Sequence, residues 1–218
     1  NLLTALRTAA ASAISIDRLA RKDAKVLGMV GAGHQAAFQL RAAARVRTFE
    51  RVVAWNLHPD MLPKLGEVAA ELGLPFKAVS LEDLGAEADV IITITSSPAA
   101  SLLDRHVRSG THLACMGTDT KGKQEVEPAL LARASVFTDE VAQSISIGEA
   151  QHAIGSGLIA PDAITPLGEV IAGLKPGRTS ESQITLFDGT GVGLQDLAVA
   201  SAAVRAAVAK GIAVSVTI

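Results

Sequence analysis

The segment from Lys25 to Arg47, KVLGMVGAGHQAAFQLRAAARVR, constrains the fold more than any other stretch of the chain. An apolar run rich in β-branched residues, Val26 to Val30, breaks at Gly31-Ala32-Gly33, and an amphipathic helical pattern begins at His34. Strand, glycine turn and helix in that order make a cradle for a dinucleotide pyrophosphate. Gly31 permits the tight turn, Gly33 lets backbone approach phosphate, and the unpaired N–H groups at the helix start face the charge. Ala36 replaces the third glycine and is still small enough for close helix–strand packing. A glycine turn that binds nothing could use the same string. It is the placement between a clear strand and a clear helix that points to a nucleotide.

Composition fits a cytoplasmic α/β protein with a substantial core. The 218 residues suit one large domain or one and a half, at 49% hydrophobic and 19% charged. A net charge of −2 without a basic block argues against nucleic acid as a partner. The single cysteine, Cys115, excludes an internal disulfide and a cysteine zinc cluster. No apolar run approaches the roughly 20 residues that span a bilayer, so no membrane partner is expected. The chain has no tyrosine, which removes Tyr–Lys dehydrogenase chemistry from it. Its five histidines (His34, His58, His106, His112, His152) are scattered without HxxxH spacing, so no metal site is expected. The opening NLLTALRTAA lacks Met and already reads as helix, as expected of a fragment or an excised domain.

Strands and helices alternate along most of the chain. Thr4 to Arg21 is helical by pattern. Strands are expected at Lys25–Val30, Arg51–Trp55, Phe76–Val79, Val90–Thr95, Thr111–Met116, Ser135–Thr138 and Gln183–Phe187. Helices are expected at His34–Arg47, Pro59–Leu72, Val141–Gly155, Leu167–Leu174 and Leu194–Lys210. Near-continuous apolar strands in β-α-β order imply a Rossmann-like, doubly wound, mostly parallel sheet, with ligand beyond the carboxyl ends of its strands. The organisation read from this is a linking helix over 1–22, a dinucleotide-binding domain over 23–190 and a C-terminal helix over 191–218.

Those carboxyl ends carry Gly31–Gln35, Asn56-Leu57-His58, Thr95-Ser96-Ser97-Pro98, Gly117–Lys123 and Asp188-Gly189-Thr190-Gly191. Most are rich in Gly, Ser, Thr or Asp, a polar convergence beyond what turns alone require. A carboxylate after the second strand would select NAD by repelling a 2′-phosphate. Asn56 stands there instead and accepts either group, so NAD and NADP both fit, with NADP slightly favoured. His58 could help a phosphate or cap the next helix. Asp119, in a glycine-flanked loop after the fifth strand, is the candidate acid–base group; an Asx turn or helix cap would use the same residue. Lys123 could neutralise it or reach a cofactor phosphate. Arg7 could clamp a carboxylate bidentately or simply be a surface arginine.

Together these strings resemble the ornithine cyclodeaminase/mu-crystallin family. The likeness runs through LTALRTAAAS (Leu3–Ser12), GMVGAGHQA (Gly28–Ala36), GTDTKGKQEVEPALL (Gly117–Leu131), FTDEVAQSISIGE (Phe137–Glu149) and GTGVGLQDLAVA (Gly189–Ala200). The resemblance implies a further N-terminal segment building most of a substrate and dimerisation domain, which the first and last helices would join or contact. It also implies a homodimer. Arg7 would hold the substrate carboxylate and the nicotinamide end, with Thr8 beside it near the phosphates. His34 and Gln35 would cover the pyrophosphate, and Asn56 would face the adenosine ribose. Ser96, Ser97 and Leu113 to Met116 would line the cofactor cleft, with Gly117 in the string that follows. Lys123 would touch the cofactor, and Gly189 and Thr190 would close over nicotinamide and substrate. Asp119 matches the acid–base aspartate of the cyclodeaminases. The DTKGKQE string is also similar to the alanine dehydrogenase branch, whereas mu-crystallins usually lack the aspartate.

The implied activity is NAD(P)-dependent hydride transfer at Cα, interconverting an α-amino acid and its α-imino or cyclic imino acid. The alternatives are ornithine cyclodeamination to proline and ammonia, or cofactor and small-molecule binding without turnover.

Overall fold

The β-branched and apolar runs along the chain become eight strands, all paired in parallel, in a computed structural model that describes residues 2–216. Asn1, Thr217 and Ile218, which belong to the expected linking and C-terminal helices, lie outside the described residues. The strands are β1 (Val26–Val30), β2 (Arg51–Trp55), β3 (Phe76–Ala78), β4 (Val90–Thr93), β5 (His112–Cys115), β6 (Ser135–Thr138), β7 (Ile164–Pro166) and β8 (Thr185–Asp188). Their order across the sheet is β3-β2-β1-β4-β5-β8-β6-β7. The chain winds outward from β1 in one direction and from β4 in the other. The crevice between those two strands is the switch point where such sheets bind ligand.

The helices are α1 (Leu2–Leu19), α2 (Ala36–Val46), α3 (Leu62–Glu71), α4 (Leu81–Glu87), α5 (Pro128–Arg133), α6 (Val141–Ser146), α7 (Ala150–Gly155), α8 (Leu167–Ile171) and α9 (Gly193–Ala209). Alternate strand positions feed two cores. Leu27, Met29, Val52, Ile92 and Phe187 pack with Ile16, Leu40 and Leu65 of α1, α2 and α3. Val26, Val30, Ile91, Leu113 and Leu186 pack with Leu84, Leu130 and Ala153 of α4, α5 and α7. This period of two, with both faces covered, explains why the central strands are apolar throughout.

Several expectations from sequence shift. The turn Gly33-His34-Gln35 lengthens, so the second helix starts at Ala36 rather than His34. The acidic stretch after Ser80 is a helix, α4, whose N-cap hydroxyl of Ser80 accepts from the Asp83 N–H at 3.1 Å. Ile164–Pro166 pairs with β6 as an edge strand too short for a periodicity to show. The single helix expected over Val141–Gly155 breaks into α6 and α7 at Gly148, where a Cβ would lie 2.5 Å from the Asp188 carboxylate.

His112 leaves the pool of acid–base candidates. Fully buried on β5, its ring contacts the Ser15 hydroxyl at 3.2 Å and the Thr185 hydroxyl at 2.9 Å, pinning α1 to the sheet. Burial, with help from the Arg178 and Arg47 charges, pushes its pKa down to about 3, so it is a neutral core residue.

Candidate active site

Gly31 and Gly33 are glycines for different reasons. Gly31 has φ +108°, and a Cβ there would lie 2.5 Å from the Ile94 carbonyl oxygen, so the fold itself requires glycine. At Gly33 an added Cβ would meet nothing within 4 Å. It would project into an open cleft of about 520 Å³. That is the space a pyrophosphate needs at a helix start, where backbone N–H groups lack helical acceptors. The Asn56 side chain braces the turn: its Oδ1 accepts from the Ala32 N–H at 3.0 Å and its Nδ2 donates to the His58 carbonyl at 2.8 Å. His58 sits at the cap of the following turn, but its ring makes no capping bond. His34 is exposed and tilts against Phe38, and the Gln35 Oε1 is buried without a partner.

The cleft brings most of the expected residues together. Gly31, Gly33, His34, Gln35 and Asn56 line one end. Ser96, Ser97, Met116, Gly117, Asp119 and Lys123 line the other. The glycine turn, the orphaned Gln35 oxygen and the hydroxyl-bearing β4 end fit a dinucleotide laid across the switch point.

Asp119 stands at the lip of this cleft. The Lys123 Nζ donates to its Oδ1 at 2.7 Å and the Thr120 hydroxyl at 3.1 Å. Partial burial pushes the Asp119 pKa up, but the Lys123 ammonium more than offsets this and holds it below the usual carboxylate range. Asp119 is therefore ionised at neutral pH. It is also not an Asx cap of α5, which begins only at Pro128.

Beneath the cleft lie three buried carboxyls that the residue pattern does not single out. The Glu125 Oε1 accepts from the Thr95 N–H at 2.6 Å and hydroxyl at 2.8 Å, and its Oε2 from the Thr93 hydroxyl at 2.6 Å and the Gly117 N–H at 2.8 Å. One side chain thus ties the ends of β4 and β5, which together make one end of the cleft. Glu149 accepts from the N–H groups of Glu125 and Val126 at 3.0 and 2.8 Å and from the Thr118 hydroxyl. Asp188 accepts from the Ser144 hydroxyl at 2.6 Å and the Ala150 N–H at 3.3 Å. Burial raises the pKa of Glu125. Glu149 is pushed up to about 8 by burial and by the Glu125 and Asp188 charges. Burial takes Asp188 to about 7. Cys115, amid the same acids, is pushed well above the usual thiol range, so it is an inert core residue. In the sequence this web shows as the Glu within KQE, the Glu of SISIGE and the Asp that opens Asp188-Gly189-Thr190-Gly191, none of them marked as buried.

Four expected residues line other surroundings. The Thr8 hydroxyl turns back to the Thr4 carbonyl at 2.7 Å within α1. Gly189 packs on Met116, where a Cβ would strike the thioether. The Asp139 carboxylate holds the loop after β8: it accepts from the Thr190 N–H at 3.1 Å and hydroxyl at 2.8 Å, and from the Gly191 N–H at 2.8 Å. Arg7 packs its guanidinium against Gly191, with its Nε 3.5 Å from the Asp196 carboxylate. Arg7 and Thr190 therefore flank the same loop, one strand away from the Asp119 loop because β8 pairs with β5.

A parallel sheet wound both ways from its centre, with a glycine turn at the switch point and an ionised carboxylate across the same cleft, defines a Rossmann-like α/β protein. Residues 1–211 match the ornithine cyclodeaminase/mu-crystallin family, and the chain belongs to that family. It is 66% identical to the iminosuccinate reductase of Paracoccus denitrificans over 218 residues, which cover 100% of this chain and 68% of that protein. The crystal structure of the Paracoccus denitrificans iminosuccinate reductase in complex with NAD+ superposes with a TM-score of 0.98 at 66% identity, over 100% of this chain and 67% of that one. The alanine dehydrogenase of Archaeoglobus fulgidus is 37% identical over 210 residues, 96% of this chain and 65% of that protein. The chain thus spans about two thirds of the length of the curated relatives it matches.

Proposed function

We propose that the protein is an NAD-dependent oxidoreductase that reduces an α-imino acid to the α-amino acid, and in reverse oxidises the amino acid. The observation that carries this reading is that Gly33 and Asp119 face one cleft, a phosphate seat at one end and an ionised carboxylate at the other. Bound nicotinamide supplies the hydride, which forms the new C–H bond at Cα while the C=N π pair moves to nitrogen. The Asp119 carboxylate attracts the N–H of the protonated imine, the better hydride acceptor, and in reverse takes a proton from the substrate ammonium, freeing the lone pair that drives the hydride out. Lys123 holds the Asp119 pKa down. Arg7 and Thr190 are the groups for the substrate carboxylate; the pair from the Arg7 Nε to Asp196 is long, at 3.5 Å, which leaves the far end of the guanidinium to be claimed.

The cofactor in this reading is NAD, against the slight leaning of the sequence toward NADP. Asn56 commits both polar atoms of its amide to Ala32 and His58, and Leu57 beside it offers no ammonium or guanidinium to a 2′-phosphate. Hydride transfer to a C=N bond is common to many α-imino acids, and the 66% identity to an iminosuccinate reductase makes iminosuccinate, reduced to aspartate, the first to offer. The unpaired apolar side of α9, with Leu197, Val204 and Val208 more than three-fifths exposed, supports a C-terminal helix that returns to a substrate and dimerisation domain. The free, buried Cys115 is in keeping with a reducing, cytoplasmic setting. No helix among the described residues is long and apolar enough to cross a membrane.

The test follows NADH and NADPH absorbance with the full-length protein offered iminosuccinate, pyruvate with ammonia, and L-ornithine with NAD. Oxidation of NADH by an imine upholds the reading. Proline and ammonia from ornithine without net cofactor change would replace it by cyclodeamination, and tight NADH binding without turnover by a binding protein.

A further inference from the structure

The loop that carries Asp119 runs over 117–124 at the carboxyl end of the sheet, and among the described residues the Asp119 carboxylate is held by two neighbours in that loop, Thr120 and Lys123. Its placement must therefore come from whatever holds the loop. That support is concentrated in the first turn of α7, in the segment SISIGEAQHA that no step of the proposed chemistry uses. Gln151 contributes most of it. Its Oε1 accepts from the Gly122 N–H at 2.7 Å. Its Nε2 faces the carbonyls of Gly148 at 2.9 Å, Lys123 at 3.3 Å and Thr120 at 3.4 Å. The His152 Nε2 meets the same Lys123 carbonyl at 3.0 Å. Glu149 holds the inner flank through Thr118 and the N–H groups of Glu125 and Val126.

We propose that Gln151 is a positioning residue for Asp119: its carboxamide clamps the backbone at Thr120, Gly122 and Lys123 and so fixes where the Asp119–Lys123 pair stands over the cleft. Donors and acceptors at the loop decide which side chain can do this. The loop turns through Gly122 at φ +89°, presenting an N–H and two carbonyls to one point. Only an amide of this length accepts and donates there at once; a carboxylate has no donor and a hydrocarbon has neither. The break at Gly148 starts α7 just before these residues, and Glu149 and Gln151, about 200° apart around the turn, face the buried flank and the loop respectively. Misplacing a catalytic group by about 1 Å costs on the order of 10²-fold in rate, so the clamp bears on kcat far more than on cofactor affinity.

This inference rests on the reading of Asp119 as the acid–base group, and the experiment separates the two. Gln151→Leu and Gln151→Glu are made in the full-length protein, each in the native and the Asp119→Asn background, and imine reduction is measured with NADH affinity. The expected result is a fall in kcat of about ten- to a hundredfold for both variants in the native background. NADH affinity should stay within about twofold, and neither variant should lower kcat further once Asp119→Asn is present. Unchanged kcat in both variants overturns the proposal. So does an equal fall in both backgrounds, or a loss of NADH affinity alongside kcat, since either would make Gln151 a general structural residue. Full kcat in Asp119→Asn alone would instead remove the catalytic reading beneath it.

Discussion

The Lys123 ammonium donates to the Asp119 carboxylate at 2.7 Å, across one turn of a loop rather than along a helix. The pair is the main reason the Asp119 pKa lies below the usual carboxylate range despite its partial burial. Asp119→Asn removes the charge that attracts a protonated imine, and kcat is expected to fall by roughly 10²–10⁴ with little change in NADH affinity. Lys123→Met leaves the carboxylate without its cation, so the Asp119 pKa rises. Activity that needs the ionised form is then lost at a higher pH on the acid side. A pH profile of kcat/KM for the two proteins checks the direction; coincident acid limbs would refute the role given to Lys123.

The two glycines of the phosphate turn should separate stability from binding. Gly31→Ala puts a side chain at φ +108° against the Ile94 carbonyl, at a cost of about 1–3 kcal/mol. Gly33→Val meets no protein atom and should leave thermal stability nearly unchanged. It fills the phosphate seat, so NADH affinity should drop at least about tenfold, or about 1.4 kcal/mol. Calorimetry with fluorescence titration of NADH gives both readouts. A Gly33→Val protein that melts early but still binds NADH would reverse the assignment.

How much of this was legible in the chain depends on the kind of residue. The strand–turn–helix from Val26 to Val46 declares itself, because apolar periodicity and glycine placement are local properties. Asp119 and Lys123 were visible as candidates because they follow a strand, although their pairing needed the turn at Gly122. Glu125, Glu149 and Asp188 were not: a carboxyl reads as a surface group until the fold supplies its donors, and those come from residues 8 to 44 positions away. The insertion of β8 between β5 and β6 was equally hidden, since strand order is set by long-range packing. It is this order that sets the Thr190 loop beside the Asp119 loop.

Glu149 should make stability fall between about pH 4.5 and 8. Its pKa is pushed up to about 8 from an ordinary 4.5, so between those values the folded protein holds a proton that the unfolded chain has released. Stability contributed by the protonated form is full below about 4.5 and declines as pH rises through 8. Glu149→Gln mimics the protonated acid, keeping an acceptor for Glu125 and Val126, and should flatten the fall in stability between about pH 5 and 8. Glu149→Ala strands those N–H groups and should cost about 1–3 kcal/mol throughout. Urea unfolding across that pH range decides it: parallel curves for the native protein and Glu149→Gln would show that Glu149 does not hold the proton.

Asp89 works in the opposite sense, at the far end of the sheet. Its carboxylate accepts from the Lys25 and Val26 N–H groups at 2.8 and 3.0 Å and from Arg21 and Arg108 at 2.6 and 2.5 Å. It thereby joins the starts of β1 and β4, the two strands that frame the switch point. Burial pushes its pKa up, but these N–H donors and the Arg108 charge outweigh that and hold it below the usual carboxylate range. A depressed carboxylate stabilises above its unfolded pKa and loses that contribution as pH falls through the folded value. His112 adds to the same acid slope, because its folded pKa of about 3 lies below the ordinary 6.5 and stability falls as pH drops from 6.5 toward 3. Asp89→Asn keeps shape but removes the charge facing two arginines, and should cost about 1–3 kcal/mol at neutral pH, with less difference from the native protein as pH falls toward 3. NADH affinity should be unaffected, since Asp89 precedes β4 while the cleft lies beyond its carboxyl end. Denaturant unfolding at neutral and acid pH tests the charge, and an equal deficit at both would assign Asp89 a role in packing alone.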